Sequence, residues 1–242
     1  VCSVSNVILV QLLPDMGVGA YFIAAGFGLV SGALLGMIQV KLKIPSFIAS
    51  LGFMSIWGSF ALLITPSPMQ IPSEYRHLIE WSKTSFGVLS LTTIIALVIM
   101  VLFALFHQFT QAGRSVNIIG GNERAARLSG IKVDRYKIMA FTICGFTAAL
   151  CGIILAVKLN SSAPTVGDSY TLLAVSSVLL GGTVAGRGSI FKTLCGVLII
   201  VIIQNGMTII GVDAFWNQIV FGALVIVAMI LTQRGKQSSI VK

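Results

Sequence analysis

The chain has 242 residues, of which 56% are hydrophobic and only 10% are charged, whereas an ordinary soluble domain carries about 25% charged residues. A soluble fold of this composition would leave large apolar patches in water, so the composition excludes an ordinary globular domain and indicates a protein embedded in lipid. The net charge of +9 does not indicate nucleic-acid binding, because the basic residues are scattered between apolar runs and form no continuous stripe.

Apolar runs long enough to cross a membrane follow one another along the chain. A hydrocarbon core about 30 Å thick requires about 20 apolar helical residues, and each run must be helical because lipid offers the backbone no hydrogen-bond partner. We therefore predict an all-α, polytopic transmembrane bundle that forms a single domain over residues 1–242. The eight candidate segments are residues 1–13, 17–40, 47–64, 86–106, 138–157, 172–182, 190–210 and 215–231.

Two of these segments are incomplete. The chain begins at Val1, without a methionine and within an apolar run, so we expect the first segment to be the remainder of a longer N-terminal region. The segment at residues 172–182 is too short to span alone and precedes a glycine-rich loop, which predicts a broken or re-entrant helix. The alternative is an error of a few residues in its bounds.

The basic residues predict the orientation, because Lys and Arg in short loops stay in the cytoplasm. If the long loop at residues 107–137 is cytoplasmic, all but three of the sixteen Lys and Arg lie on the cytoplasmic side. The exceptions are Arg76, Lys83 and Lys158. This asymmetry predicts that the C-terminus is cytoplasmic as well.

Small residues recur at every fourth position in two of the segments. The two series are Ala24, Gly28, Gly32 and Gly36, and Ala148, Gly152 and Ala156. Each series predicts a flat ridge along which helix backbones can approach closely in lipid. Two interpretations stay open, an interface between subunits or at a gate, and packing inside one bundle.

Residue types that carry out catalysis are sparse. The acidic residues and both histidines lie in loops or at the ends of apolar segments, which argues against proton-coupled or sodium-coupled transport. The chain contains no GxxxxGK[ST] phosphate-binding motif, and its four cysteines lack the spacing of metal ligands. We expect no catalytic residue, no metal and no cofactor, so any energy for transport must come from a partner.

The stretch at residues 112–137 contains a predicted short helix. Asn122 can cap it, and Glu123 is favourable in its first turn. Glu123 and Arg127 stand one turn apart and can pair, while Gly130 supplies the permissive backbone that ends the helix. A small apolar face is expected from Ala125, Ala126 and Leu128. These residues alone leave two interpretations open, a docking helix for another protein and a solvated connecting helix.

The run GGNERAARLSGI at residues 120–131 resembles the coupling-loop signature of the ABC-importer permeases for ribose, xylose, galactose and autoinducers. Further similar stretches are IPSFIASLGFMSIWGSFALLIT, CGFTAALCGIILAVKLNSSAPTVG, LLGGT, GRGSI, QNGMTIIGV and FWNQIV. The resemblance covers nearly all of the chain, in order and with similar spacing. It implies that the helix after Gly120 and Gly121 sits in the cleft of a separate ATPase subunit and transmits its closure.

The chain departs from the family pattern in places. The family begins with further helices, and about ten spans would be expected in a full-length relative. Many relatives have Tyr-Glu-Leu-Asp where this chain has Tyr170, Thr171, Leu172 and Leu173, so any role of those carboxylates is lost or moved. The glycine-rich loop at residues 181–188 is also shorter than is usual in the family.

The resemblance implies a permease subunit in a bacterial inner membrane that moves a monosaccharide-type substrate by alternating access. The implied partners are an ABC ATPase subunit, a periplasmic substrate-binding protein, a second permease copy and the lipid bilayer. Two alternatives stay open, namely a branched-chain amino-acid permease of the same superfamily and an ATP-independent channel or secondary transporter.

Polar residues provide two further sets of candidates. Candidates for the substrate pathway are Gln204, Asn205, Thr208 and Gln39. Each of these could equally serve helix packing, because hydrogen bonds between helices are common in membranes. Candidates for contact with the binding protein are Asn160, Pro164, Gly167 and Asp168, for which a plain connecting loop is an equal alternative.

Overall fold

The computed structural model describes residues 1–71, 85–86, 89–181 and 190–211, together with residues 216, 219–220, 222–224 and 226. Its helices are α1 (Cys2–Met16), α2 (Gly19–Leu42), α3 (Ser46–Ile64), α4 (Leu91–Phe109), α5 (Gln111–Gly121), α6 (Glu123–Leu128), α7 (Val133–Leu159), α8 (Val166–Leu180) and α9 (Ile190–Ile209). Four two-residue strands are β1 (Met69–Gln70), β2 (Ser85–Phe86), β3 (Leu89–Ser90) and β4 (Ser161–Ser162).

The prediction of an all-α, polytopic membrane protein is confirmed. Among the described residues, five helices are long and apolar enough to cross a membrane, namely α2, α3, α4, α7 and α9. Two shorter apolar helices match the segments predicted to be incomplete, since α1 and residues Tyr170–Leu180 of α8 are both too short to span unaided. Much of the segment predicted at residues 215–231 lies outside the described residues, although residues 216, 219–220, 222–224 and 226 are helical, and so does most of the glycine-rich loop.

Two helices begin earlier than the apolar runs predicted. Helix α7 begins at Val133 instead of residue 138, and α8 begins at Val166 instead of residue 172. Each has an acidic residue in its first turn, Asp134 in α7 and Asp168 in α8. A carboxylate there is favourable because the helix N-terminus carries a partial positive charge. Hydropathy alone misses such a turn, because its residues are polar.

Residues Val1–Leu105 and Lys132–Gly167 form one compact unit. Its most extensive helix contact joins α2 to α7, and α1 packs against both. A Cβ atom added to Gly28 would lie 2.6 Å from the carbonyl oxygen of Gly145, and one added to Gly36 would lie 2.9 Å from the Cα of Ile138. The two backbones are therefore in direct contact, and the C-terminal end of α2 lies beside the N-terminal end of α7.

The small-residue ridge predicted on α2 forms this contact, since Ala24, Gly28, Gly32 and Gly36 are all buried. On α7 the prediction was partly wrong. Gly145 and Ala149, and not the half-buried Ala148, meet α2, whereas Gly152 packs against the backbone of Cys2 in α1. The face of α7 that meets α2 also follows a spacing of four, but in the register of Gly145 and Ala149, and the spacing of small residues alone does not define that register. Both series therefore make helix contacts inside one chain.

The remainder of this unit surrounds α1. Leu9, Val10 and Leu13 share an apolar cluster with Ile153 and Ala156 of α7, while Val4 and Val7 pack on Ala61 of α3. Beyond the helices, β1 and β4 pair antiparallel, with Met69 opposite Ser162. This pairing ties the segment that follows α3 to the segment that follows α7.

Residues Phe106–Ile131 and Asp168–Lys242 form the second compact unit. Within it, α8 and α9 pack closely through small residues. A Cβ atom added to Gly181 would lie 2.8 Å from the carbonyl carbon of Lys192, and one added to Gly196 would lie 3.0 Å from that of Ser177. The two helices therefore run antiparallel with their backbones in contact, which gives the short α8 a protein surface to pack on.

Candidate functional site

The predicted coupling segment, residues 107–137, begins with a sharp turn between α4 and α5. Thr110 caps α5, since its Oγ1 accepts a hydrogen bond from the Gly113 amide at 3.2 Å and donates one to the Phe106 carbonyl at 2.6 Å. Gly113 lies against the backbone of His107, with only 2.6 Å between an added Cβ and the carbonyl carbon. A side chain at this position would open the turn, so the direction in which α5 leaves α4 depends on Gly113.

Helix α6 forms as its residues predict. The Oδ1 atom of Asn122 accepts a hydrogen bond from the Ala125 amide at 3.1 Å, which is a regular N-cap. Arg127 Nη2 donates to Glu123 Oε1 at 3.2 Å, and Gly130 follows the helix with a φ of +80°. The predicted cap, ion pair and terminating glycine are confirmed.

The paired glycines directly precede the capped helix α6, as the resemblance implies. Gly120 and Gly121 are the last residues of α5, and the break between α5 and α6 falls at Asn122, whose φ is −159°. α5 therefore ends at Gly121, directly before the Asn122 cap with which α6 begins. An extended residue between two helices sets the angle at which the second one projects.

The residues expected to form one apolar face of α6 do not share one surface. Ala126 is fully buried, whereas Ala125 is exposed and Leu128 is 85% exposed. Successive helical residues are turned by about 100°, so a helix of six residues separates these side chains. Leu128 is thus the exposed apolar group of α6, and Ala126 is its buried one.

The polar candidates on α9 lie within little more than one turn. Gln204 is half-buried, and Asn205 and Thr208 are exposed. Thr208 Oγ1 donates a hydrogen bond to the Gln204 carbonyl at 2.9 Å, so its hydroxyl proton is satisfied within its own helix. Asn205 is the exposed amide of this set.

Gln39, the fourth pathway candidate, belongs to the other compact unit. It is 6% exposed, and its Nε2 donates to Ser46 Oγ at 2.6 Å. This bond connects the last turn of α2 to the first residue of α3 across Lys43, which has a φ of 54°. Gln39 therefore stabilises the turn between these helices.

The candidates for contact with a binding protein surround β4. Asn160 ends α7 with a φ of 53°, and its carbonyl accepts a hydrogen bond from the Ile71 amide at 3.3 Å. Pro164 is buried, and Gly167 lies against Ser3 of α1. Asn160 and Asp168 are exposed, so these two residues present polar groups while Pro164 and Gly167 shape the loop.

Sequence reasoning missed a buried amide in α1. Asn6 is 1% exposed, and neither Oδ1 nor Nδ2 has a hydrogen-bond partner among the residues that the structure describes. A buried amide without a partner costs about 1–3 kcal/mol. The signal that could have found it is a lone asparagine inside the apolar run at residues 1–13.

Within residues 1–71, 85–86, 89–181 and 190–211, no group of three or more His, Cys, Asp or Glu side chains could hold a metal ion. The same ranges contain isolated cysteine, carboxylate and histidine side chains as well as amides and hydroxyls.

The fold and these groups define a multi-pass helical membrane protein that carries a capped helix between two of its spans. The chain belongs to the family described as "Branched-chain amino acid transport system / permease component", whose model matches residues 1–229. The resemblance to ABC-importer permeases is thereby confirmed. No solved structure matches the chain.

Several named permeases are similar to the chain. The chain is 37% identical over 203 residues to "Ribose import permease protein RbsC" of Bacillus subtilis (strain 168), which covers 82% of the chain and 63% of the relative. It is 36% identical over 202 residues to "Probable ABC transporter permease protein YphD" of Escherichia coli (strain K12), covering 81% and 60%. It is 30% identical over 242 residues to "L-arabinose transport system permease protein AraH" of Escherichia coli (strain K12), covering 98% and 72%. The chain thus spans 63% and 60% of the length of the first two relatives.

Proposed function

We propose that the chain is the membrane-spanning permease subunit of a bacterial ABC importer for a monosaccharide-type substrate. The observation that carries the proposal is the similarity to relatives named for ribose import and L-arabinose transport. A neutral sugar also suits the helices, since each candidate span contains an 18-residue stretch with at most two charged residues. In this proposal the substrate enters from a periplasmic binding protein, and ATP is hydrolysed on a partner chain.

The coupling segment is assigned to the cytoplasm, and with it the C-terminus. Lys41 and Lys43 stand at the C-terminal end of α2, and Arg135 and Lys137 stand in the first turns of α7. These two ends lie side by side, as the contact between Gly36 and Ile138 requires. Basic residues at neighbouring helix ends support one orientation, because Lys and Arg are retained on the cytoplasmic face.

Helix α6 is assigned the contact with the ATPase. A docking element must keep its shape under load, and the Asn122 cap and the Glu123–Arg127 pair both restrain this helix. Leu128 offers an apolar side chain that is 85% exposed, which a groove on a partner could cover. Closure of two ATPase domains would then move α6 and, through the fixed junction at Asn122, α5.

The remaining partners follow from the exposed apolar surface. No residue of α4 is buried, and only Ala49 and Ala61 of α3 are. Such surface requires lipid or a further membrane protein, and a second permease copy with the surrounding bilayer supplies both. On the opposite side, the loop from Asn160 to Asp168 is assigned to the binding protein, with the two exposed residues at its ends making the contact.

The substrate pathway is assigned to the polar groups of α9, with Asn205 as the principal candidate. Its exposed amide can donate to and accept from sugar hydroxyl groups. Gln204 and Thr208 flank it, and Gln39 supports the turn between α2 and α3. An amide that offers both a donor and an acceptor suits a neutral polyhydroxylated substrate.

A branched-chain amino-acid importer is the second candidate, because the description of the matching family names that transport system. Uptake separates the two. The chain would be expressed with its own ATPase and binding protein in a strain that lacks pentose and leucine importers, and uptake of labelled D-ribose, L-arabinose and L-leucine would be measured. Pentose uptake that stops when the ATPase is inactivated is the expected result. Uptake of leucine alone would establish the second candidate, and uptake that survives loss of the ATPase would establish a channel or secondary transporter.

A further inference from the structure

Asn6 lies on the face of α1 that packs against α7. The carbonyl of Cys2, one turn before Asn6, is in contact with Gly152. Leu9, one turn after it, belongs to the apolar cluster that contains Ile153 of α7. Since residues separated by three or four positions share a helix face, Asn6 stands in the middle of the contact between α1 and α7.

This amide breaks a rule that the neighbouring polar side chain obeys. Ser5, also fully buried on α1, donates a hydrogen bond to the Ala24 carbonyl at 3.2 Å. Asn6 has two donors and two acceptor positions to fill, and at 1% exposure it fills none of them among the described residues. An amide that packs between helices usually bonds to the adjacent helix, whereas Asn6 makes no such bond among the described residues.

We propose that the Asn6 amide is a substrate-binding group, which hydrogen-bonds sugar hydroxyls when α1 separates from α7 during transport. The inference rests on the proposed function and names a second site for the same substrate class. An amide can donate to one hydroxyl and accept from its neighbour, a pattern that adjacent sugar hydroxyls match and an aliphatic side chain does not. Proteins keep an energetically unfavourable local arrangement, such as an unpartnered buried amide, mainly at functional sites.

The end of α1 provides a pivot for such a movement. Pro14 lies inside the last turn of the helix, where it removes one backbone hydrogen bond. Gly17 follows with a φ of 53° and connects α1 to α2 within a few residues. A proline and a glycine at the end of a short helix allow it to swing while the rest of the unit keeps its packing.

Two measurements on Asn6→Leu test the proposal, the KM of uptake and the melting temperature of the purified protein. Uptake would be measured with labelled D-ribose and L-arabinose, alongside the Asn6→Ser variant, which keeps a donor and an acceptor. For Asn6→Leu we expect the KM to rise at least about tenfold, as is usual when a substrate hydroxyl loses its partner. The melting temperature should rise, since an unpartnered amide is removed from an apolar contact. Asn6→Ser should show a smaller rise in KM.

Ser31→Ala is the matched control. Ser31 is also 1% exposed and its Oγ also lacks a partner among the described residues, but it lies on α2. Its removal should leave the KM within about twofold. An unchanged KM in Asn6→Leu, or a fall in its melting temperature, would overturn the proposal. If the unmodified chain transports neither pentose, the proposed function itself fails and this substrate assignment fails with it.

Discussion

Arg127 donates a hydrogen bond to Glu123 at 3.2 Å across one turn of α6, and both side chains are about half exposed. An exposed pair of this kind contributes only about 0.3–0.5 kcal/mol to the helix. Its position is therefore more informative than its strength, since it marks the charged side of a short helix whose apolar group, Leu128, also faces outward. A surface that combines both suits a partner groove.

Leu128→Asp should abolish most co-purification of the ATPase, by at least about tenfold, because a buried apolar contact in a small interface carries much of the affinity. The abundance of the chain should not change, since Leu128 is 85% exposed. Co-purification from detergent-solubilised membranes measures the effect. Leu159→Asp, at the other end of α7 and 47% exposed, is the control and should retain the ATPase. Equal recovery with both variants would refute the docking role of α6.

The contact between Gly36 and Ile138 predicts which introduced cysteines can be labelled from outside the cell. In a cysteine-free background, a cysteine at Leu128 should react with a membrane-impermeant maleimide only after the membrane is opened. A cysteine at Met69, which is 43% exposed and follows α3, should react in intact cells. Labelling of residue 128 in intact cells would reverse the orientation and remove the proposed contact with the ATPase.

Much of the helical architecture could be predicted because lipid allows a span only one backbone solution. The lengths of the apolar runs and the residues in the turns between them were sufficient to predict α2, α3 and α9. The bounds of these helices differ from the prediction by no more than a few residues. The bounds of α7 and α8 were less predictable, because their first turns are polar and form through Asp134 and Asp168 rather than through burial. The helix that packs on each small-residue ridge could not be predicted. Gly28 meets Gly145 where α2 and α7 pack together, and the spacing of small residues does not show which helices pack together.

The local geometry of the coupling segment was predictable because it depends on neighbours in sequence. Asn122 caps α6 and Arg127 pairs with Glu123, and each of these interactions joins residues only three or four positions apart. The burial of Ala126 and the exposure of Leu128 depend on which other residues surround α6, and the sequence alone does not show that. The unpartnered amide of Asn6 was missed for the same reason, since only the packed structure reveals that nothing bonds to it.

Gly28→Ala should destabilise the protein by about 1–3 kcal/mol, the usual cost of overpacking. The added methyl group would meet the Gly145 carbonyl oxygen at 2.6 Å, and backbone atoms cannot rotate away. Gly26→Ala is the control on the same helix, because a Cβ atom there has nothing within 4 Å. A thermal unfolding series in detergent should show a lower melting temperature for the first variant only. Equal melting temperatures would contradict the direct backbone contact of α2 with α7.

Oxidation of the native cysteine pair tests whether α1 must leave α7. The backbone of Cys2 lies against Gly152, the chain neighbour of Cys151, so in a chain with Cys144 and Cys195 changed to Ser, copper phenanthroline and oxygen should join the two thiols. Each thiol gives up one proton and one electron to the oxidant, and the new disulfide links α1 to α7. We expect uptake of labelled pentose to stop and to return with dithiothreitol, whereas Cys2→Ser should be insensitive. A cross-linked chain that transports at the normal rate would show that the two helices need not separate, which removes the access on which the role of Asn6 depends.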